Sequence, residues 1–172
     1  MITMLRQNIV LIGMPGAGKS TIGVLLAKTL GMAFVDTDIV IQEKAGRLLQ
    51  EIINQDGVAG FLRLEENVIC ELQATQSVIA TGGSAVLSKR AVDHLKETGL
   101  LVYLKLCYDE IERRIDNMST RGIAIEQGRT LRDLYDERIA LYEKYADLIV
   151  DCSVSTMEEV VLKMVNALRA FQ

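Results

Sequence analysis

The sequence is short of the residues that build metal centres, disulfide frameworks and histidine-based active sites. His94 is the only histidine among 172 residues, so a histidine triad or a histidine metal site is not expected. The three cysteines, Cys70, Cys107 and Cys152, are far apart and odd in number, which fits neither a disulfide framework nor a zinc site. We expect them to be small core residues of a protein in a reducing cytosol.

Long apolar segments and an excess of positive charge are also missing. No apolar run reaches the roughly 18 residues that a membrane span needs. The first residues, Met1 to Gln7, are short and polar and do not read as a signal peptide. The net charge is −4, whereas binding of nucleic acid favours a basic face. We expect a cytoplasmic monomer whose partner is a small molecule, with no membrane or nucleic acid involved.

What the chain does contain is a regular alternation of short apolar runs and amphipathic stretches. Its length, with 49% hydrophobic and 24% charged residues, predicts a single domain over residues 1–172. The predicted strands are 8–13, 33–36, 78–81, 100–106 and 148–151, and the predicted helices are 19–30, 39–74 with a break near Gly57, 88–97, 110–118, 130–145 and 156–171. Continuously apolar strands separated by helices predict an α/β fold, with a five-stranded parallel sheet covered by helices on both faces. Ligands of such sheets bind beyond the carboxyl ends of the strands.

A phosphate-binding loop follows the first predicted strand. Residues 13–21, Gly-Met-Pro-Gly-Ala-Gly-Lys-Ser-Thr, fit the pattern G-x-x-x-x-G-K-[ST] between a strand and a helix. The glycines let backbone N–H groups face phosphate oxygens, and the helix adds its positive N-terminal end. Lys19 can reach the β- and γ-phosphates, and the Ser20 hydroxyl can bind Mg²⁺. The loop therefore predicts ATP and Mg²⁺ as ligands. The predicted nucleotide-binding residues of the loop are Gly16, Ala17, Gly18, Lys19, Ser20 and Thr21.

Polar and small residues end the next two strands. Asp36 and Asp38 follow the second strand, and residues two apart in an extended chain point the same way. One carboxylate can hold Mg²⁺ through water, while the other accepts a hydrogen bond from a substrate hydroxyl. Gly82 and Gly83 follow the third strand and allow a ligand to approach the backbone closely. Each motif alone fits a solvated turn, and it is the nearby phosphate loop that favours a site.

With these pieces in order, the sequence resembles the shikimate kinases, within the nucleoside monophosphate kinase-like group of P-loop proteins. The resemblance covers nearly the whole chain. It rests on GMPGAGKSTIG at 13–23, FVDTD at 34–38 followed by Glu43 and Gly46, FLRLEE at 61–66, ATGGSAV at 80–86, LVYL at 101–104 and RIALYEKYADLIVD at 138–151. It implies a three-layer P-loop kinase fold and transfer of the γ-phosphoryl group of ATP to a hydroxyl, foremost that of shikimate.

The resemblance also implies roles on the side of the phosphoryl acceptor. Asp38 looks like the catalytic residue that hydrogen-bonds, and can deprotonate, the accepting hydroxyl. Gly82 and Gly83 look like backbone contacts to the substrate, and Arg138 looks like an arginine that binds its carboxylate. A substrate-binding insertion is expected at about residues 37–65.

On the nucleotide side, the resemblance assigns four further roles. Asp36 looks like the residue that holds Mg²⁺ through water, together with Ser20. Arg114 looks like the arginine that stacks on adenine. Arg121 looks like a catalytic arginine that reaches the transferring phosphate, from a lid expected at about residues 119–128. Such a lid would exclude water and limit hydrolysis of ATP.

The chain departs from the family pattern at several positions. Leu62 replaces an arginine that binds the substrate carboxylate, so we expect it to be an apolar part of the acceptor site. Arg63 cannot stand in for that arginine, because adjacent helix positions differ in direction by about 100°. The usual third glycine of the Gly82-Gly83 turn is Ser84, the usual Arg-Pro-Leu of the lid is Arg-Gly-Ile at 121–123, and the usual Pro-Leu-Tyr is Ala-Leu-Tyr at 140–142.

These departures leave other functions open. The acceptor could be another small hydroxylated acid or polyol, for example homoserine. A nucleoside monophosphate kinase shares the loop and the sheet, and a nucleotide-binding regulator without catalysis is the alternative from another class. A GTPase is disfavoured, because the sequence has no Asn-Lys-x-Asp and no Asp-x-x-Gly after a strand.

Overall fold

The computed structural model describes residues 7–116 and 123–171 as a parallel sheet with helices on both faces. The strand order is β2-β3-β1-β4-β5, and all pairings are parallel. The strands are β1 Asn8–Ile12, β2 Ala33–Asp36, β3 Ser77–Ala80, β4 Gly99–Lys105 and β5 Leu148–Asp151. The sequence-based prediction of a five-stranded parallel α/β sheet is confirmed.

The helices largely follow the predicted pattern. The described helices are α1 Lys19–Leu30, α2 Thr37–Ala45, α3 Leu49–Glu71, α4 Lys89–Thr98, α5 Tyr108–Asp116, α6 Leu131–Tyr145 and α7 Met157–Phe171, with a 3₁₀ turn at Ala85–Leu87. The predicted helix over 39–74 is two helices, because Gly46 adopts a left-handed φ of 64° that ends α2. The predicted break near Gly57 is present inside α3, where φ is 74°. None of the described helices is long and apolar enough to cross a bilayer.

The centre of the sheet is buried and largely apolar. All five residues of β1 are buried, and Leu11 lies opposite Ala80 of β3 and Val102 of β4. The Asn8 amide donates to the Ala74 carbonyl at 2.7 Å and accepts from the Ser77 N–H at 3.0 Å, which fixes β1 against the start of β3. Because β1 lies between β3 and β4, the loops that leave β1 and β3 emerge side by side at the carboxyl edge.

One expectation about the core is wrong. Of the three cysteines, Cys152 is buried and Cys70 is partly buried, but Cys107 is exposed. The reason is its position between β4, which ends at Lys105, and α5, where the Cys107 carbonyl accepts from the Ile111 N–H as the helix begins.

The first helix packs unusually close to the second strand. A Cβ atom on Gly23 would lie 2.6 Å from the Phe34 ring and 3.4 Å from a methyl group of Leu11. Only a residue without a side chain fits this contact. The close packing sets the separation between the start of α1 and the end of β2, where Ser20 and Asp36 meet.

We expect Gly23→Val to destabilise the fold by about 2–3 kcal/mol, because the added methyl groups overpack the contact with Phe34. Urea unfolding followed by circular dichroism measures this as a lower midpoint. The matched control is Thr29→Val on the exposed side of the same helix, which places valine in α1 without overpacking the core. It loses only an exposed hydrogen bond to the Leu25 carbonyl and should cost less than about 1 kcal/mol. Equal losses in the two variants would contradict the packing argument.

Candidate active site

The phosphate loop wraps around the ammonium group of Lys19. Gly16 and Gly18 adopt left-handed φ values of 81° and 89°, which glycine allows without strain. The Lys19 Nζ donates to the carbonyls of Gly13 and Met14, both at 2.7 Å. Burial lowers the pKa of Lys19 to about 8, against the opposing charge of Asp38. The lysine therefore keeps its proton at neutral pH while lying 7% exposed at the base of the loop.

Asp36 links the start of α1 to the start of α2. Its Oδ2 accepts from the Ser20 hydroxyl at 2.6 Å, and its Oδ1 accepts from the backbone N–H of Asp38 at 2.9 Å. The second bond caps helix α2, whose N-cap residue is Asp36. The predicted reason for pairing the aspartates needs correction: β2 ends at Asp36, so Asp38 lies in the first turn of a helix and not in an extended chain. Both side chains nevertheless line one cleft.

This cleft, of about 420 Å³, lies at the carboxyl edge of the sheet. The phosphate loop forms one end of it, and α2, α3, α6 and the turn after β3 form the other. The described lining residues are Pro15, Gly16, Gly18, Lys19, Ser20, Thr21, Asp36, Asp38, Gln42, Leu48, Leu49, Gln50, Phe61, Glu65, Thr81, Gly82, Gly83, Ser84, Ile123, Ala124 and Arg138. Predicted residues of four separate chain segments thus line one cleft, but the predicted Ala17 does not, because it is buried in the core.

The turn after β3 depends on two glycines for space. A Cβ on Gly82 would lie 2.8 Å from both Asp38 Oδ1 and Glu65 Oε2, so the absent side chain leaves a gap between two carboxylates. A Cβ on Gly83 would lie 2.6 Å from the Pro15 ring of the phosphate loop. The Gly83 carbonyl also accepts from the Tyr142 hydroxyl at 2.5 Å. The absence of a side chain at Gly82 therefore leaves space at the far end of the cleft, and its absence at Gly83 allows the turn to contact the phosphate loop.

Arg138 is a buried cation at the far end of the cleft. It is 1% exposed, and its Nη2 donates to the Ala124 carbonyl at 3.2 Å. Its Nε–H has no hydrogen-bond partner among the described residues. A buried donor without a partner is costly, so the guanidinium is suited to an anionic ligand.

Glu65 is a site residue that the sequence analysis missed. It is 2% exposed, its Oε1 accepts from the Ser84 hydroxyl at 2.6 Å, and its Oε2 has no hydrogen-bond partner among the described residues. Burial, together with the smaller influence of the charge of Asp38, raises the pKa of Glu65 to about 7, against the hydrogen bond from Ser84 and the charge of Arg138. The available signal was helical spacing: Glu65 lies four residues after Phe61, and both line the cleft.

Leu62 is not brought into the cleft, which corrects its expected place in the acceptor site. It is partly exposed and lines a smaller second pocket of about 160 Å³ on the other side of Glu65 and Ser84. The reason is helix geometry, because Phe61 faces the cleft and the next residue turns away by about 100°.

Two arginines predicted on the nucleotide side have different outcomes. Arg114 donates from Nη1 to the Gly16 carbonyl at 3.2 Å and from Nε to Glu110 at 2.8 Å, so it contacts the outside of the phosphate loop. Arg121 lies outside the described residues, as does the first part of the predicted lid, 119–122. Ile123 and Ala124, later in that segment, line the cleft.

Comparisons with known proteins agree with this geometry. The family model described as "Shikimate kinase" matches residues 15–169. The shikimate kinase of Thiobacillus denitrificans is 38% identical over 171 residues, which cover 95% of this chain and 93% of that protein. The structure of the shikimate kinase from Acinetobacter baumannii in complex with shikimate is similar with a TM-score of 0.90 and 30% identity, over 98% of this chain and 96% of the other. The shikimate kinase structure from Aquifex aeolicus matches with a TM-score of 0.79, 30% identity, and coverage of 94% and 96%.

The raised pKa of Glu65 predicts a stability that falls as pH rises. Between the ordinary pKa of 4.5 and the folded value of about 7, the folded chain holds a proton that the unfolded chain has released, and this advantage is lost as pH rises. Glu65→Gln removes this dependence. We expect the stability of Glu65→Gln, relative to that of wild type, to increase by about 1–3 kcal/mol as pH rises from 5 to 8.

Urea unfolding at a series of pH values measures this change. Glu110→Gln is the control, because Arg113 and Arg114 lower the pKa of Glu110 to about 2, well below this range. Its difference from wild type should stay constant between pH 5 and pH 8. A constant difference for Glu65→Gln as well would show that Glu65 is already ionised at pH 5 in the folded chain.

Proposed function

The chain belongs to the shikimate kinase family, and from that premise we propose that it transfers the γ-phosphoryl group of ATP to a hydroxyl of shikimate. In this reaction the hydroxyl oxygen attacks the γ-phosphorus, the bond to the β-phosphate oxygen breaks, and ADP leaves. Such transfer depends mainly on positioning and on stabilisation of charge.

The observation that carries the proposal is the pairing of two chemically different ends in one cleft. At one end a glycine-rich loop encloses a protonated lysine, which is suited to the phosphates of ATP. At the other end two carboxylates flank Gly82, and a buried arginine has an unpaired N–H. Carboxylates accept hydrogen bonds from hydroxyl groups, and arginine binds carboxylates, so the far end suits a hydroxylated acid.

At the nucleotide end, Lys19 would bind the β- and γ-phosphates with the backbone of residues 16–21. Ser20 and Asp36 fit a Mg²⁺ ion, because a hydroxyl and a carboxylate oxygen lie 2.6 Å apart beside the loop and hard cations prefer oxygen ligands. When bound there with waters and phosphate oxygens, Mg²⁺ neutralises charge on the phosphates. We assign Ser20 as a direct ligand and Asp36 as a ligand through water.

At the acceptor end, Asp38 would accept the proton of the attacking hydroxyl. Its place in the first turn of α2, beside the capped N-terminus, gives the carboxylate a fixed backbone. Arg138 would bind the carboxylate of the substrate through its free Nε–H. The Gly82 and Gly83 backbone would lie against the substrate ring, since no side chain occupies that space.

The remaining assignments follow from the family. We propose that Arg121 reaches the transferring phosphate from a lid over residues 119–128, and that Arg114 stacks on adenine beside the loop it already contacts. Residues 37–65 would be the substrate-binding insertion of a single 1–172 domain. We also propose that the protein works in the cytoplasm as a monomer, without a nucleic-acid partner, in keeping with its net charge of −4.

A coupled assay of ADP release tests the function. The acceptors to compare are shikimate, other hydroxy acids, homoserine, sugar acids and nucleoside monophosphates, with ATP and Mg²⁺ present. We expect shikimate to give the highest kcat/KM. A nucleoside monophosphate as the best acceptor, or no ADP release above background with any acceptor, would contradict the proposal.

A second acceptor is favoured by one observation. Among the described lining residues, the cations are Lys19 and Arg138, and Lys19 faces the phosphate loop. The position where the family has a second arginine is Leu62, which is turned out of the cleft. A smaller hydroxylated acid or a polyol with less need of carboxylate contacts is therefore the second candidate, and the same assay distinguishes it from shikimate.

The adjacent glycines of the turn, Gly82 and Gly83, predict separate effects on the KM for shikimate and on the KM for ATP. We expect Gly82→Ala to raise the KM for shikimate by about tenfold or more, because the methyl group enters the gap between Asp38 and Glu65. Gly83→Ala should instead raise the KM for ATP, because its methyl group displaces Pro15 of the phosphate loop. Neither glycine has a left-handed φ, so alanine causes no backbone strain at either position and each variant serves as the control for the other. Equal effects of both variants on both constants would contradict this division.

The metal assignment predicts a specific loss in Asp36→Asn. Asparagine is also a good N-cap residue, so α2 should remain intact. The Mg²⁺ concentration that gives half-maximal activity should rise about tenfold, because a neutral amide replaces a carboxylate in the metal site. Asp93→Asn, at an exposed aspartate of α4 that pairs with Lys89, should leave the Mg²⁺ titration unchanged. An unshifted titration in Asp36→Asn would remove Asp36 from the metal site.

A further inference from the structure

The wall between the cleft and the second pocket contains an acid and a hydroxyl that have no assigned part in the phosphoryl-transfer step. Glu65 and Ser84 line both pockets, and both are nearly fully buried, with exposures of 2% and 5%. Ser84 donates to Glu65 Oε1 at 2.6 Å, whereas Oε2 lies toward Gly82 without a hydrogen-bond partner among the described residues. A buried carboxyl group that is only half satisfied changes its protonation readily.

Ser84 is not required by the local backbone. Its φ of −94° and ψ of −4° are open to any residue. At this position the family pattern has glycine, which offers no hydroxyl. A serine hydroxyl can donate to a carboxylate and can also accept from a protonated carboxyl group. Ser84 can therefore satisfy Oε1 of Glu65 in either protonation state.

The charges around Glu65 come from three helices. Asp38 faces it from α2, Lys19 from α1, and Arg138 from α6, where Tyr142 also lies close. Among the described lining residues of the cleft, the carboxyl groups of Asp36, Asp38 and Glu65 outnumber the cations Lys19 and Arg138. An acid that binds beside Arg138 adds a further negative charge to this set. Protonation of one carboxyl group would offset it.

We propose that Glu65 is a proton-linked specificity residue: binding of an anionic acceptor drives uptake of one proton by Glu65, and Ser84 is the positioning residue that partners both forms of the carboxyl group. The proton comes from hydronium or a buffer acid, whose bond to hydrogen breaks as the O–H bond of Glu65 forms, and no other covalent bond changes. Protonation of Glu65 removes a negative charge from the site, and the arginine that Leu62 replaces would add a positive one. Both changes favour binding of an anionic acceptor, so neutral Glu65 compensates in part for the missing arginine. The inference rests on the proposed function, because it takes the acceptor to be an acid.

Proton uptake gives a direct test by isothermal titration calorimetry. Shikimate binding is measured from pH 6 to pH 8.5, in pairs of buffers with different ionisation enthalpies, which reports the protons taken up per complex. We expect the wild-type Kd to rise by about tenfold or more across this range, with uptake approaching one proton per complex near pH 8. In Glu65→Gln, the uptake due to Glu65 should disappear, and the Kd at pH 8.5 should be lower than that of wild type.

Two comparisons isolate the role of the pair. Lys19, whose pKa is about 8, also titrates in this range. Glu65→Gln keeps Lys19, and the charge of Glu65 is the smallest of the influences on the pKa of Lys19, so the difference between wild type and this variant reports chiefly Glu65. Ser84 can partner both forms of Glu65, but its hydrogen bond favours the ionised form. Ser84→Ala should therefore keep Glu65 protonated to higher pH, and tight binding of shikimate should extend to higher pH with it. A purely structural role of Ser84 would instead weaken binding equally at every pH.

The outcomes separate this inference from the proposed function. If the protein phosphorylates shikimate but the Kd depends on pH in the same way in wild type and in Glu65→Gln, the inference is overturned and the proposed function stands. A uniform weakening in Ser84→Ala overturns the role of Ser84. Absence of both shikimate binding and shikimate-dependent ADP release overturns the function and the inference together.

Discussion

The site is organised around ionisable groups buried at one edge of an apolar sheet. Lys19, Glu65 and Arg138 are each less than a tenth exposed, and burial of a charge is among the largest costs a fold can carry. The surrounding structure offsets this cost with specific partners: loop carbonyls for Lys19, a serine hydroxyl for Glu65 and a backbone carbonyl for Arg138. The partners are incomplete for Glu65 and Arg138, and both residues line the cleft. The polar surface is thus prepared for a ligand before one arrives.

Close backbone packing is what brings these groups together. Gly23 sets α1 against β2, Gly82 leaves the gap between two carboxylates, and Gly83 touches the proline of the phosphate loop. In each case the contact distance excludes a Cβ, although none of these three glycines has a left-handed backbone. The hydroxyl of Tyr142, whose ring stacks on that of Tyr103 in β4 at a centroid distance of 5.1 Å, donates to the Gly83 carbonyl and holds the same turn from the other side. The packing of the core therefore determines the geometry of the cleft.

Much of the fold could be predicted from the sequence, because apolar strands and the phosphate loop are local patterns. Asp38, Gly82 and Arg138 were also found, the last through family resemblance, and each lines the cleft. Glu65 was missed because its helical spacing from Phe61 does not show by itself which face of α3 is buried, and that depends on what α3 packs against. Leu62 was misplaced for a related reason: a substitution is visible in the sequence, but the direction of the side chain depends on the rotation of the helix. The extended-chain argument for Asp36 and Asp38 failed because the N-cap at Asp36 starts a helix immediately after the strand.

Asp36 and Glu65 should respond differently if the chain loses its activity during evolution. The carboxylate of Asp36 caps a helix and accepts from Ser20, so it would be retained for folding alone in a descendant that had lost phosphoryl transfer. Glu65 is the reverse case, since an unpaired buried carboxyl oxygen lowers the stability of the fold. A residue that the fold would be better without persists only while something selects for it. In a duplicated copy that no longer binds an acceptor, position 65 should therefore change before position 36, and its identity is the more sensitive record of whether acceptor binding is still under selection.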